Sequence, residues 1–371
     1  MPKTASNRRE FLQLAKKYHP GRDEIGGWFV SEKLDGTRCF WDGGLTRGLR
    51  TEHIPWASVT DPKTGKRKAK LKPTATGLWS RYGNPIIAPD DFLDLLPAFP
   101  LDGELWAGRG NFQLCRSICG GDTPDSRFDQ IQFAAYGCPP INRVVASGEI
   151  KNANFHATFD LDEIANFIVA CIKTNCSKFQ TLEDDATFEE ELLNLSEMLD
   201  GDRVFMHRQV RLPVHQDSAC LTVENELNRV IENGGEGVVI RDPFAQWTPK
   251  RVSSLLKYKP FNDAEGTLVG FTAGRETDKG SKHLGKIGAL ILDYKGKRLE
   301  LSGLTDEERE FATNSMKEHA EENPGKDMPR GIGIEGKHFK IGQQITFIYR
   351  DLSDDGIPKE ARYFRQREDE E

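Results

Sequence analysis

Residues 28–44 read WFVSEKLDGTRCFWDGG, and this stretch decides how the rest of the chain is interpreted. Aromatic and β-branched residues flank the LDG segment at 34–36, a pattern that predicts two short strands joined by a turn. Lys33 therefore stands where a strand ends. A lysine held at such an edge can act as a nucleophile if desolvation or nearby cations keep part of it deprotonated. A KxDG string alone is equally consistent with a surface lysine beside an ordinary turn.

Three further strings place charged side chains at the margins of apolar runs. Glu104 ends the run in FPLDGELW, and Glu236 opens the run in GGEGVVIRDP. Carboxylate oxygens at such positions can hold a sugar hydroxyl or Mg²⁺ beside phosphates, although a solvated turn explains either glutamate alone. In LLKYKP, the period of two in a strand turns Lys257 and Lys259 to the same face. Their like charges repel each other, so either an anion lies between them or this face of the strand is exposed to solvent.

Length and local patterns predict two domains. A chain of 371 residues exceeds a typical single domain. Its first part mixes strands with helices, and a polar break follows at 261–263. About five alternating segments then surround one helix near 306–322, which predicts a small barrel of the OB type. We therefore expect an α+β chain with domains at 1–260 and 261–371.

The patterns also predict less regular parts of the first domain. Helical spacing predicts a helix at 8–18, and strand signals resume at 85–88. Residues 45–79, rich in Lys, Arg, Thr and Pro, are expected to form an exposed insertion or extended loop. A second insertion is expected near 139–205, where helical patterns carry acidic faces.

Charge and cysteine usage narrow the classes of partner and compartment. The formal net charge is -7, yet residues 63–72 read KTGKRKAKLK, and such a basic run can bind phosphates. The seven cysteines include no CxxC pair and no histidine partners at zinc-ligand spacing, which favours a reducing compartment without a zinc site. With neither the h-region of a signal peptide nor a membrane span, the sequence predicts a cytoplasmic protein.

The order of the motifs carries more information than any one of them. It resembles the signature of the covalent nucleotidyltransferases, and it is most similar to the small two-domain ATP-dependent DNA ligases of bacteria and phages. The resemblance covers residues 28–259, with the two insertions, and more loosely the C-terminal domain. The motifs in chain order are KLDGTR, SRYG, LDGELW, a strand with the aromatic Tyr136, EGVVIR and LKYKP.

The resemblance implies a fold, a reaction and a set of site residues. The fold is an adenylyltransferase domain of antiparallel sheets and flanking helices, followed by an OB-type barrel. ATP is the AMP donor, Mg²⁺ or Mn²⁺ assists, and the partner of the monomeric enzyme is nicked duplex DNA. The implied roles are as follows: Lys33 is the adenylylated nucleophile, Arg38 and Glu104 contact the ribose, Arg81 contacts the nick phosphate, Tyr136 stacks on adenine, Glu236 and Glu104 bind the metal, and Lys257 and Lys259 hold the α-phosphate.

In the basic run, Lys66, Arg67, Lys68 and Lys70 are predicted to contact the DNA backbone, since a cluster of like charges otherwise repels itself. Two positions depart from the ligase pattern. Ser31 stands where the family often has an acidic residue, and the C-terminus lacks the usual Asp-Lys. Arg362, Arg365 and Arg367 are the remaining candidates there for binding the leaving pyrophosphate.

Other functions stay open on the sequence alone. An RNA ligase or a capping guanylyltransferase also carries a KxDG lysine, although the SRYGNPI and LDGELWAGRG strings favour a DNA ligase. In another class, a noncatalytic protein binds nucleic acid through its OB domain and retains the larger domain as a relic. NAD is less favoured as the donor, because ligases that use it carry an additional N-terminal domain and a four-cysteine zinc site.

Overall fold

The computed structural model describes residues 12–59, 68, 71–145, 161–260, 262–274, 285–310, 312–314, 339, 341–349, 351–353 and 355–366. The chain divides into two compact units, one of Ser6–Lys259 and one mainly of Pro260–Glu371. Both α-helices and β-strands contribute, as the predicted α+β class requires. Among the described residues, no helix is both long and apolar enough to cross a membrane.

Two five-stranded sheets with flanking helices form the larger unit. Its strands are β1 (Leu14–Lys17), β2 (Phe29–Glu32), β3 (Thr37–Asp42), β4 (Leu78–Ser80), β5 (Pro100–Trp106), β6 (Gln132–Gly137), β7 (Val204–Met206), β8 (Val210–Arg211), β9 (Val238–Arg241) and β10 (Arg251–Tyr258). Its α-helices are α1 (Asp90–Leu93), α2 (Phe112–Cys119), α3 (Ile141–Val145), α4 (Leu161–Thr174), α5 (Phe188–Met198) and α6 (Gln216–Glu232).

The first sheet has the strand order β1-β10-β9-β2-β8, and the second has the order β4-β3-β5-β6-β7. Helix α6 packs its buried residues against the first sheet. Helices α1, α2 and α5 share a core with the second sheet. A capping box between Thr187 and Glu190 fixes the start of α5. The strands predicted on either side of the 34–36 turn are β2 and β3, which belong to different sheets.

The predicted helix at 8–18 is wrong for its described part. Leu14–Lys17 form β1, which pairs in parallel with β10. The pairing continues past the strand, because the Tyr18 amide donates to the Lys257 carbonyl at 3.0 Å, and the Tyr18 ring packs edge-on against Tyr258. Pairing with β10 and the contact between Tyr18 and Tyr258 therefore stabilise a strand here, although the spacing of apolar residues favours a helix. Intrinsic secondary-structure propensity is a weak preference that such tertiary contacts override.

The prediction of an exposed loop at 45–79 is wrong for 45–59, which contributes to a hydrophobic core. Trp56 is fully buried and packs edge-on against both Trp79 and Phe167. Phe167 belongs to α4, which lies within the second predicted insertion, near 139–205. Part of that insertion therefore packs against part of the first one, at 45–79. The strand predicted at 85–88 is reduced to one isolated bridge between Trp79 and Pro85.

The smaller unit is a five-stranded barrel. Its strands are β11 (Asn262–Ala273), β12 (Ile287–Tyr294), β13 (Lys297–Leu301), β14 (Gln344–Tyr349) and β17 (Arg362–Gln366), and a separate hairpin is formed by β15 (Asp351–Leu352) and β16 (Pro358–Lys359). The sheet order is β13-β12-β11-β14-β17. A bridge between Ser302 and Arg362 joins its two edge strands and closes the barrel. Residues 306–310 and 312–314 are helical, so the predicted barrel with an inserted helix is confirmed.

Candidate active site

Three strands of the first sheet bring Lys33, Glu236 and Lys259 together. Antiparallel pairing sets Glu32 on β2 opposite Val238 on β9, and the Lys33 amide extends the ladder by donating to the Gly237 carbonyl at 2.8 Å. Strand β10 pairs with the other edge of β9, with Tyr258 opposite Val238. The residues that follow β2 and β10 therefore meet the residues that precede β9.

Glu236 forms ion pairs with both lysines. One carboxylate oxygen contacts the Lys33 ammonium, and the other contacts the Lys259 ammonium. The side chains are 27% exposed for Lys33 and 20% exposed for both Glu236 and Lys259, so all three charged groups are partly buried. Glu236 thus holds two lysines close together although their charges repel each other. A negatively charged ligand could therefore interact with both ammonium groups.

The approach of β9 to β10 depends on Gly237. Its φ angle is 149°, a conformation that favours glycine. A Cβ atom at this position would lie 2.4 Å from the Tyr258 carbonyl oxygen and 3.0 Å from the Lys259 side chain. The glycine of the EGVV string thus allows Glu236 to reach the lysine at the end of β10.

The second sheet contributes Arg38, Glu104 and Tyr136 from three neighbouring strands. Arg38 on β3 lies opposite Glu104 on β5. The Tyr136 hydroxyl donates to Glu104 at 2.9 Å, and the Arg38 guanidinium lies 4.8 Å from the centre of the Tyr136 ring. One face of the predicted adenine-stacking ring is therefore covered by a cation that other side chains hold in place.

Asp102 holds that cation, although the sequence did not mark this residue. Its two carboxylate oxygens accept hydrogen bonds from Arg38 at 2.7 and 2.6 Å. The Trp247 indole donates to it at 3.0 Å. Asp102 and Glu104 are two residues apart on one strand, so the period of two in LDGE already places their side chains on the same face. The tryptophan partner, 145 residues away, gives no local signal.

Burial and charge oppose each other at Glu104. Burial raises the pKa of its carboxyl, whereas Lys33, Arg38 and the Tyr136 hydroxyl act to lower it. Burial has the largest single effect on the pKa of the Arg38 guanidinium and lowers it, but Asp102, Tyr136 and Glu104 together raise this pKa by more, so the net direction is upward. Arg38 is therefore a permanent cation, and Glu104 is a carboxylate whose ionisation depends on the cations around it.

These residues line a cavity of about 210 Å³ between the two sheets, which we call the inner cavity. Its walls include six of the predicted site residues: Lys33, Arg38, Arg81, Glu104, Tyr136 and Lys257. A wider and more open cavity of about 710 Å³, the outer cavity, shares Lys33, Arg38, Arg81 and Glu104 with the inner one. Lys33 thus stands where the two spaces meet.

Other residues that line the inner cavity were not predicted as site residues from the sequence. Glu32 precedes Lys33 and receives two hydrogen bonds from Arg109, at 2.8 and 2.7 Å. Arg241 is buried on β9, donates to the Tyr136 carbonyl at 3.2 Å and lies over the Phe188 ring at 4.3 Å. The only signal for Arg241 is a charge inside the apolar GVVIR run. Phe188 comes from α5, so the second predicted insertion contributes to the cavity wall.

The predicted DNA contacts are only partly described. Lys66, Arg67 and Lys70 lie outside the described residues. Lys68 lines the outer cavity, but its ammonium donates to Ser58 and Asn84. This geometry does not favour the predicted contact between Lys68 and a phosphate.

The C-terminal arginines stay predictions as pyrophosphate ligands. Arg362 and Arg365 belong to β17 of the smaller unit, and Arg367 lies outside the described residues. Within the part of the chain that the structure describes, no group of three metal-ligating side chains is present.

Comparison with known proteins bears on the fold. A family model described as the DNA ligase OB-like domain matches residues 279–367. A curated DNA ligase of Haemophilus influenzae is 23% identical over 357 residues, which are 96% of this chain and 92% of that protein. A solved structure from an analysis of Lig E DNA ligases covers 96% of this chain and 98% of its own, at 23% identity and a TM-score of 0.56. The chain has the fold of the DNA ligases.

A second solved structure, named Pmar-Lig_Pre, shares this ligase fold with a TM-score of 0.58 at 16% identity. It is aligned over 96% of this chain and 67% of its own length. Both alignments extend over the two compact units, so the ligase fold includes the barrel as well as the sheets around Lys33. The resemblance drawn from the motif order and the α+β fold that it implied are confirmed.

Proposed function

We propose that this chain is an ATP-dependent DNA ligase that seals nicks through a lysyl-AMP intermediate on Lys33. The observation that carries the proposal is the position of Lys33 between two cavities, with cations and carboxylates of both sheets around it. We further propose that the enzyme acts as a monomer on nicked duplex DNA.

The first step takes place at the inner cavity. The Lys33 amine attacks the α-phosphorus of ATP, a nitrogen–phosphorus bond forms, and diphosphate leaves. Glu236 orients the amine and lies in contact with the proton that Lys33 must lose. Lys257 lines the cavity, and Lys259 shares Glu236 with Lys33. We assign both lysines to the negative charge of the α-phosphate. Fixed cations of this kind stabilise a charged transition state without reorganisation.

The nucleoside end of ATP fits the wall formed by the second sheet. Tyr136 offers an aromatic surface for the purine, and Arg38 and Glu104 lie beside it for the ribose hydroxyls. Asp102 and Trp247 keep Arg38 in one orientation. Arg241 donates a hydrogen bond to the Tyr136 carbonyl, so the surface proposed for the base is held by contacts within the protein.

We assign a divalent cation of the Mg²⁺ type to Glu236 and Glu104, each of which interacts with Lys33. Mg²⁺ is held by one or two carboxylates together with substrate phosphates rather than by a complete cage of protein ligands. Two carboxylates near Lys33 therefore suit it even where no set of three ligands is present among the described residues. When bound, the cation supplies charge neutralisation to the phosphates.

The outer cavity suits the nucleic acid. Arg81 lines both cavities, so a 5′-phosphate at Arg81 would lie close to AMP on Lys33. In the second step, an oxygen of that phosphate attacks the lysine-bound phosphorus and releases the Lys33 amine. In the third step, the 3′-hydroxyl attacks the 5′-phosphate, a phosphodiester bond forms and AMP leaves.

Incubation with α-labelled ATP, GTP or NAD and Mg²⁺, followed by a denaturing gel, tests the first step. We expect a labelled protein with ATP and none with GTP or NAD. Addition of a nicked duplex should discharge the label and join the strands, more readily with DNA than with RNA at the break. Labelling by GTP would favour a capping enzyme, preferential joining of RNA would favour an RNA ligase, and absence of any adduct would favour a noncatalytic binding protein.

A further inference from the structure

The outer cavity has a structural support that the proposed reaction does not explain. The support joins the residues that follow β4 to residues 56–59, which lie on the other side of the cavity wall. Lys68 is its centre. We infer that Lys68 is a positioning residue that holds the Arg81 turn, rather than a residue that contacts DNA.

The Arg81 turn consists of residues 80–84. The Ser80 amide donates to the Asn84 carbonyl at 2.8 Å, and the Gly83 amide donates to the Ser80 carbonyl at 2.9 Å. The Ser80 hydroxyl accepts from the Asn84 amide at 3.1 Å. These bonds fix the path of the chain on both sides of Arg81, so the direction of its side chain depends on where the turn as a whole is anchored.

The turn is anchored against residues 56–59. The Ser58 amide donates to the Gly83 carbonyl at 2.8 Å. Gly83 has a φ angle of 73°, and a Cβ atom there would lie 2.7 Å from the Trp56 carbonyl oxygen. Only glycine allows this approach without a shift of the backbone. Trp56 is itself fully buried, so the turn rests on a rigid part of the core.

Lys68 completes the anchor from the other side. Its ammonium donates to the Ser58 carbonyl at 2.9 Å, to the Ser58 hydroxyl at 2.7 Å and to the Asn84 side-chain oxygen at 2.7 Å. Its backbone amide donates to the Val59 carbonyl at 3.0 Å. An ammonium group has three hydrogens, and these three bonds engage them with oxygens on both sides of the gap between residue 58 and residue 84.

This arrangement argues against a phosphate contact by Lys68. Binding a phosphate oxygen would require one of the three bonds to break, and Ser58 is buried where water replaces a lost donor poorly. The function of Lys68 is then to keep Arg81 at the junction of the two cavities. The inference rests on the proposed function, because it assigns Lys68 to the step in which Arg81 meets the 5′-phosphate.

The test uses Lys68→Met, which keeps the length of the side chain and removes its three donors. Enzyme already carrying AMP is mixed with saturating nicked DNA, and transfer of AMP to the 5′-phosphate is followed in a single turnover. We expect transfer to slow by about tenfold or more, since small displacements of a positioned group have effects of this size. Formation of the lysyl-AMP adduct should stay within about twofold of wild type, because Arg81, which Lys68 positions, is assigned to the 5′-phosphate rather than to the nucleotide.

Two matched variants isolate the support. Asn84→Leu removes an acceptor from the opposite side of the gap and should reproduce the Lys68→Met defect. Lys178→Met removes a positive charge at an exposed position that lines neither cavity, and it should not slow transfer. If Lys178→Met slows transfer as much as Lys68→Met does, the loss is one of net charge and the inference is wrong.

A double variant and a salt titration complete the test. If Lys68 acts through Arg81, Lys68→Met adds little to the defect of Arg81→Ala, because interacting positions are not additive. The dependence of DNA affinity on salt should keep its wild-type slope in Lys68→Met. A fully additive double variant, or a slope reduced by about 0.9 as expected for one lost phosphate contact, would overturn the inference. A wild-type enzyme that forms no adduct would instead reject the proposed function.

Discussion

The inner and outer cavities meet at Lys33 but differ in how their charges are held. At the inner cavity, Arg38, Asp102 and Glu104 are joined to one another through hydrogen bonds or close charge contacts between buried strands. At the outer cavity, Lys68 is tied to a turn, and Lys72 and Arg116 line a wider space. The difference fits the proposed function, in which the nucleotide binds at the inner cavity and DNA binds at the outer one.

The two cavities also depend on the chain in different ways. The inner one is made by strand pairing, so its groups are placed by the register of two sheets. The outer one is bounded by a turn and by loop segments whose position rests on a few side-chain bonds. Changes at the inner cavity should therefore affect nucleotide chemistry, and changes at the outer cavity should affect transfer to DNA.

The largest effect is expected for Lys33→Ala, which should separate adduct formation from the final joining step. The variant should form no adduct, and joining of a nicked duplex with ATP should fall by on the order of 10³-fold or more. A nick whose 5′ end is already adenylylated should still be joined, within about tenfold of wild type, because that step needs the 3′-hydroxyl and the cations but no nucleophilic lysine. Gel assays on the two substrates measure both rates.

Lys178→Ala, at an exposed position of the same unit, is the control and should behave as wild type. A Lys33→Ala enzyme that seals the ordinary nick as well as wild type would show that Lys33 is not the nucleophile.

A smaller effect is expected for Lys257→Ala and Lys259→Ala. Each should slow adduct formation by about 10²-fold at ATP below saturation, since each removes a fixed cation from the α-phosphate. The unfolding temperature should move by only a few degrees, because both side chains are partly exposed. Labelling kinetics and thermal unfolding measure the two quantities. A variant that forms adduct at the wild-type rate identifies its lysine as an ordinary surface charge.

The basic run at residues 63–72 tests whether DNA binds on the side of the outer cavity. Replacing Lys66, Arg67 and Lys70 together with Ser should weaken DNA binding and leave adduct formation unchanged. The slope of log affinity against log salt should fall by about 0.9 for each residue that contacts a phosphate. Lys68 is omitted because its ammonium is engaged within the protein. An unchanged slope would mean that the run is a solvated segment without a role in binding.

The smallest expected effect concerns a carboxyl behind the inner cavity. Glu191 on α5 is buried, and burial raises its pKa to about 8 despite the nearby Arg241. In the unfolded chain the group ionises near its ordinary value of 4.5. The stability that protonated Glu191 contributes is therefore complete below pH 4.5 and is lost as the pH rises towards about 8.

Glu191→Gln should remove this dependence. Its free energy of unfolding should vary less between pH 5 and pH 7.5 than that of wild type, by up to about 1.4 kcal/mol per pH unit. Urea unfolding at the two pH values measures the difference, and Glu197→Gln at an exposed position of the same helix is the control. Equal slopes for Glu191→Gln and wild type would show that Glu191 ionises normally in the folded protein.

Much of the reaction centre was determined by local sequence. The KLDG turn, the alternation in LDGELW and the EGVV string are short patterns, and the chain geometry of a strand and a turn is set within a few residues. The residues around KLDG predicted the strands on either side of Lys33, and the alternating segments after the polar break at 261–263 predicted the barrel. The order of the motifs then indicated the ligase fold before any contact was known.

Tertiary structure alone decided what these groups touch. Residues 14–17 became a strand because β10 offered an open edge, and residues 45–59 were buried because α4 covers them. Lys68 became a support for Arg81 through oxygens that lie 10 and 16 residues away. Asp102 accepts a hydrogen bond from the Trp247 indole, 145 residues away in the sequence. Such partners follow from long-range packing and hydrogen bonding, which the composition and spacing of a short segment do not encode.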